Sequence, residues 1–290
     1  MKTIVRGPRG KEVVIGDGLP TVLLGERINP FGKGPVKEAM TTGNMEPIRA
    51  EAARQVEAGA DVLLVSVSAF GIDEVRVLPL VMEAVMDVVD VPLCIESRNP
   101  EALDAALRLG CGKPIVSSVT GEGPVLAALL PLVKEHGTAL VALASDASGI
   151  PKDPAGRVEV IRRILEQTDA TGIPREEILV DCVAEASAVN DKAAGVTLDT
   201  MERVRAEWGL NLVLGASNVS FGLPDRMTVN AAFLALAIKA GLTAAIVNPT
   251  TMLPYAMAAD LLVGRDPRSR RFTTYHRKRK AKEREQTGQP

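Results

Sequence analysis

From Val22 to Leu262 the chain alternates between two hydrophobic rhythms. Short runs of β-branched and aliphatic residues are apolar at consecutive positions, as in strands buried on both faces of a parallel sheet. Between them lie longer stretches whose apolar residues recur every three or four positions, the period of an amphipathic helix. Strand-like runs fall at Val22–Ile28, Asp61–Val67, Pro92–Glu96, Pro114–Val119, Ala139–Ala144, Ile178–Val183, Leu210–Leu214 and Ala244–Val247. Each is followed by a helix-like stretch, at Glu46–Ala58, Asp73–Val89, Glu101–Leu109, Val125–Glu135, Arg157–Thr168, Leu198–Trp208, Val229–Ala240 and Pro254–Leu262. Glycines such as Gly59 and Gly137 close several of the helices, where a left-handed cap is inexpensive for this residue.

Eight strand–helix units predict an α/β protein with one (β/α)8 TIM barrel. The alternative, an open doubly wound sheet, usually has a glycine-rich phosphate turn after its first strand. Here that turn reads Gly25-Glu26-Arg27-Ile28-Asn29-Pro30, without the pattern. The barrel is expected over residues 1–264 and a basic C-terminal tail over 265–290, where Phe272, Tyr275 and His276 interleave with Arg and Lys. The tail reads as solvated, with a docking arm for an acidic partner as the other possibility.

Composition narrows the class further. The chain is 46% hydrophobic but only 3% aromatic, so its core is built from Ala, Val, Leu and Ile. A net charge of −2 gives no nucleic-acid signature. Three cysteines, Cys94, Cys111 and Cys182, form no CxxC pair and no zinc spacing, which suits small buried hydrophobes in a reducing compartment. The first fourteen residues lack the apolar stretch of a signal peptide, and no apolar run is long enough to span a bilayer. The expectation is a cytoplasmic protein without membrane contact.

In such barrels the chemistry sits where strands end and the following loops begin. The eight predicted ends carry Glu26, Arg27 and Asn29; Ser66 and Ser68; Glu96, Ser97, Arg98 and Asn99; Ser117, Ser118 and Thr120; Ser145 and Asp146; Asp181 and Cys182; Ser217, Asn218 and Ser220; and Asn248. This ring is rich in carboxylates, amides and hydroxyls but has no histidine, since His136 falls at a helix end and His276 in the tail. No bound metal of its own and no Ser-His-Asp triad is therefore expected. A carboxylate can accept from a ring N–H and an exocyclic amine together, so Glu96 and Asp181 suit a flat heterocycle rich in donors. Glu26 and Arg27 fit either that site or a paired plug across the barrel.

The strand ends also bear a family resemblance. Leu24-Gly25-Glu26-Arg27-Ile28-Asn29, Gly149-Ile150-Pro151-Lys152-Asp153, Gly215-Ala216-Ser217-Asn218-Val219-Ser220 and Phe233-Leu234-Ala235-Leu236-Ala237 follow the order and spacing of the methyltetrahydrofolate:corrinoid methyltransferases. That family is part of the pterin-binding barrels, with the folate module of methionine synthase and dihydropteroate synthase. The resemblance implies a pterin gripped by Glu96, Ser117 and Asp181, with Ser66 and Ser220 beside them. It places Asn218 near N5, the atom that carries the methyl group, as the catalytic residue. Two of these positions depart from the family pattern: Glu96 stands for Asp and Ser117 for Asn. The second strand departs too, with Leu64-Val65-Ser66 in place of Asp-Ile-Asn. The implied substrates are tetrahydrofolate or methyltetrahydrofolate and a corrinoid supplied by a partner protein, because no Asp-x-His-x-x-Gly cobalt-ligating motif occurs in this chain. A homodimer is implied as well. A binding subunit without catalysis or with an altered pterin, and a dihydropteroate synthase-like enzyme, are the competing readings.

Overall fold

The computed structural model describes residues 1–31 and 34–287. Eight parallel strands, β3 (Val22–Ile28), β4 (Val62–Ser66), β5 (Leu93–Glu96), β6 (Ile115–Val119), β7 (Ala139–Leu143), β8 (Ile178–Asp181), β9 (Asn211–Gly215) and β10 (Ala244–Val247), close into a barrel in chain order, with β10 pairing β3. Each predicted strand is present, with no end shifted by more than two residues. Around them lie α2 (Glu46–Glu57), α3 (Glu74–Val88), α4 (Pro100–Leu107), α5 (Gly123–His136), α6 (Pro154–Thr171), α7 (Ala193–Trp208), α8 (Arg226–Lys239) and α9 (Pro249–Leu262). Gly59 and Gly137 have φ of 102° and 61°, as their capping role requires.

Two apolar shells hold this arrangement. Outward-facing strand residues and the inner faces of the helices form the larger one, from Leu23 and Leu63 to Leu78 and Ile161. The smaller fills the barrel itself with Val22, Leu24, Val62, Leu64, Cys94, Ile115, Ala139, Val141, Leu179, Val213 and Ala244. All three cysteines are free and buried, and burial pushes the Cys111 thiol up to about 11.

Three elements lie outside the sequence expectation. An antiparallel hairpin, β1 (Lys2–Arg6) and β2 (Glu12–Gly16), drives Val5 and Ile15 into the barrel interior. The buried Asn211 at the start of β9 donates its Nδ2 to Thr3 Oγ1 at 3.0 Å and to Ile15 O at 3.1 Å, so the hairpin stoppers the N-terminal end of the barrel. A short helix, α1 (Pro35–Thr42), precedes α2. The segment read as a tail forms α10 (Arg270–Thr287), and its root is built into the protein. There Arg265 and Asp266 are buried, and Phe272 and Tyr275 pack on the core. No helix among the described residues is long and apolar enough to cross a membrane.

Candidate functional site

Side chains alternate across a strand, so an inward residue is followed by another two positions later. The interior shell contains Leu24, Leu64, Cys94, Ile115, Leu179 and Val213. Two positions further on, at the C-terminal ends, stand Glu26, Ser66, Glu96, Ser117, Asp181 and Gly215. The strand period thus lays a polar floor over an apolar barrel. Strand register aligns part of it closely: Ser66 pairs with Glu96, and Glu96 with Ser117, on three neighbouring strands.

Helices bring their N-termini to the same end. Asn99, Asp153 and Asn248 each accept hydrogen bonds from the first turn of the helix that follows, and each is followed by a proline preset for the first helical position.

The carboxylates of this cup are poorly solvated. Asp181 keeps a small accessible face, but protein packed around the rest of the group raises its pKa to about 6. The N–H groups of Val183 and Gly215 and the charge of Arg157 pull it back, while Glu96 pushes it up. Burial likewise raises Glu96, offset by the Ser66 hydroxyl and the more distant Arg98. Ser66 Oγ is buried and close enough to stabilise the Glu96 anion, yet it has no hydrogen bond of good geometry within the protein. Burial raises Glu26 as well, against the Ser217 hydroxyl, which donates to both carboxylate oxygens at 2.8 and 2.9 Å. Glu26 is therefore bound to Ser217 rather than plugging the barrel with Arg27, which is exposed. Acceptors withdrawn from water and left short of donors favour a ligand with several N–H groups on one edge.

Asn218 sits above this floor on a 3-10 turn, Ala216–Ser220, and is exposed. Two residues hold the turn. Arg226 donates to Ser217 O at 3.0 Å and to Ser220 Oγ at 2.9 Å, with its guanidinium 4.4 Å from the Phe221 ring centroid. The Ser220 hydroxyl donates in turn to Ser217 O, so the turn occupies it and it is not part of the floor. Gly215 links the turn to the floor. Its N–H serves Asp181, and its missing side chain leaves room for the Asn218 amide, whose Nδ2 would lie 2.9 Å from a Cβ there.

Among the sequence candidates, the structure brings Ser66, Glu96, Ser117 and Asp181 together, with Asn218 at the rim. It adds residues that sequence reasoning passed over. Gln55 of α2 is fully buried and accepts from Arg27 N at 3.0 Å against the bare face of Gly25. Arg226 falls between the Gly215–Ser220 block and the helix expected at Val229–Ala240, and in the structure it opens α8. Gln55, at helical spacing from Ile48 and Ala52, was a signal in the sequence for the first; nothing in the sequence pointed to Arg226.

Comparison with known proteins gives the family. A family model described as pterin binding enzyme matches residues 25–248, a span that includes every floor residue and Asn218. A methylcorrinoid:tetrahydrofolate methyltransferase from Eubacterium limosum is 33% identical over 267 residues, 89% of this chain and 97% of that protein. Methionine synthase from Mycobacterium leprae is 30% identical over 249 residues, 81% of this chain but only 21% of that longer protein. Dihydropteroate synthase structures share the fold: that from Yersinia pestis has a TM-score of 0.68 at 15% identity, covering 91% of this chain and 98% of its own. The enzyme from Stenotrophomonas maltophilia gives 0.67 at 17%, covering 89% and 98%. The chain belongs to the pterin binding enzyme family, on its methyltetrahydrofolate:corrinoid methyltransferase branch.

Proposed function

We propose that this protein moves a methyl group between N5 of tetrahydrofolate and the cobalt of a corrinoid held by a partner protein. The observation that carries the reading is the floor: Ser66, Glu96 and Ser117 on one register row, electrostatically coupled to Asp181, with Asn218 above. Carboxylates at Glu96 and Asp181 suit the amine and ring N–H groups of a pterin, and the hydroxyls suit its remaining polar edge.

The two departures from the family pattern fall side by side. Glu96 and Ser117 are cross-strand neighbours. Asp to Glu lengthens one side chain, and Asn to Ser shortens the other, so the pair still offers a carboxylate and a hydroxyl to a ligand.

In the direction named for the Eubacterium limosum relative, the N5 lone pair attacks the methyl carbon. The carbon–cobalt bond breaks with its electrons left on the metal, and N5 gives up its proton. The chain's task is to hold the ring and aim N5 at the mouth. In this reading the Asn218 amide hydrogen-bonds at N5 but does not titrate, so the proton passes to water. In the opposite direction the same hydrogen bond stabilises N5 as it leaves.

The corrinoid protein must then cover the mouth. Phe31, Phe70 and Phe221, three of the five phenylalanines, stand 73%, 109% and 50% exposed on loops at this end, beside Val189 at 89%. Large apolar side chains left in water favour a protein contact.

The test is Asn218→Ala with a methylated corrinoid protein and tetrahydrofolate. Transfer should fall by about 100-fold, as for loss of one preorganised donor, with pterin affinity changed far less. A variant that turns over at the wild-type rate removes the role given to Asn218. A wild-type protein that takes up neither tetrahydrofolate nor its methyl form in calorimetry removes the function.

A further inference from the structure

Arg157 lies in the first turn of α6 and is completely buried. Its guanidinium is consumed by two loops at the mouth. Nη1 donates to Cys182 O at 2.8 Å and Val183 O at 2.7 Å, and Nε donates to Pro151 O at 2.9 Å. Nη2 meets the Glu185 carboxylate, whose other oxygen is paired with Lys152 at 2.8 Å. Thr197 Oγ1 adds a second donor to Val183 O, also at 2.8 Å.

Between these anchors Val183 has φ of 63°, the left-handed region. A β-branched residue is uncommon there and stays only where its surroundings hold it. The turn has a direct consequence, because it aims Val183 N–H back at Asp181 Oδ1, 2.7 Å away. The guanidinium suits this task where an ammonium would not, since its planar fork reaches several acceptors in fixed directions.

We propose that Arg157 is a positioning residue for pterin binding: by holding Val183 in the left-handed turn, it fixes the Asp181 carboxylate in the cup. This rests on the reading that Asp181 grips a pterin. None of the main-chain carbonyls that Arg157 holds belongs to a barrel strand, so its loss disturbs the mouth before the core. The charged and titratable groups near Asp181 are Arg157, Glu96 and Cys182, and none of the other two replaces the link through Val183.

Calorimetric titration with tetrahydrofolate tests the proposal on four proteins: wild type, Arg157→Met, Arg157→Lys and the double variant Arg157→Met with Val183→Gly. Circular dichroism confirms that each is folded. Arg157→Met should weaken binding by about 30-fold, the range expected when a buried charged acceptor loses its alignment. Arg157→Lys, which keeps the charge and loses the fork, should fall between, and it serves alone if Arg157→Met does not fold. Glycine adopts the left-handed conformation without help, so Val183→Gly should restore much of the lost affinity. A residue that only stabilises the fold would lower the melting temperature and leave affinity unchanged. Folded arginine variants that bind like wild type, or a double variant with no recovery, overturn the proposal while leaving the function standing. A wild type that takes up no tetrahydrofolate sinks the function, and this inference with it.

Discussion

Gly215 is the residue on which floor and rim meet. Its N–H stabilises the Asp181 carboxylate, and its bare Cα is what admits the Asn218 amide. Alanine there would place a methyl group 2.9 Å from Asn218 Nδ2, the mobile end of an exposed side chain. The amide would swing aside at little energetic cost and lose its aim. Gly215→Ala should therefore slow single-turnover methyl transfer by about 10-fold or more while changing stability by less than about 1 kcal/mol, read by thermal melting. At this scale the sequence was half legible. Positions at the ends of continuous apolar runs pointed to Glu96 and Asp181, and the family resemblance added Ser117. Neither could show that Ser217 reaches Glu26 across 191 residues of chain, or that Ser220 serves the turn. Those links depend on distances that a residue string does not contain.

At the scale of elements, the eight barrel strands and their helices were legible because each has its own hydrophobic pattern and glycines close several of the helices. The hairpin β1–β2, α1 and α10 were not. β1 and β2 are five residues each, with charges at Lys2, Arg6 and Glu12, and their apolar residues Val5 and Ile15 are buried by inserting into the barrel. Helix α10 has no apolar face of its own beyond Phe272 and Tyr275. It is anchored instead by a buried ionic cluster at the stoppered end: Asp260 is fully buried, accepts from Thr21 N and Oγ1 at 2.9 and 2.7 Å, and pairs with Arg271 at 3.1 Å. Arg265 approaches the same carboxylate at 3.8 Å and also donates to Leu242 O. Removing one partner from such a cluster leaves a buried charge under-compensated. Arg271→Met should thus cost about 2–4 kcal/mol in urea unfolding, and tetrahydrofolate affinity should stay unchanged because the cluster lies at the opposite end from the cup.

The whole molecule divides its labour between two ends. The N-terminal end is closed by the hairpin and clamped to α10, and it contributes stability. The C-terminal end gathers desolvated carboxylates under an open mouth rimmed by exposed phenylalanines. Every ligand must therefore arrive and depart by one opening, directly over groups whose charge state is delicately set. Asp181, raised to about 6, is half protonated near that pH in the empty protein. N–H donors from an incoming pterin favour its anion, so the bound state holds fewer protons than the free one. Ligand uptake at pH 6 should accordingly discharge a fraction of a proton into solution. The apparent enthalpy should then depend on the buffer's own ionisation heat. At about pH 8, where the carboxylate is already ionised before the ligand arrives, that buffer dependence should vanish.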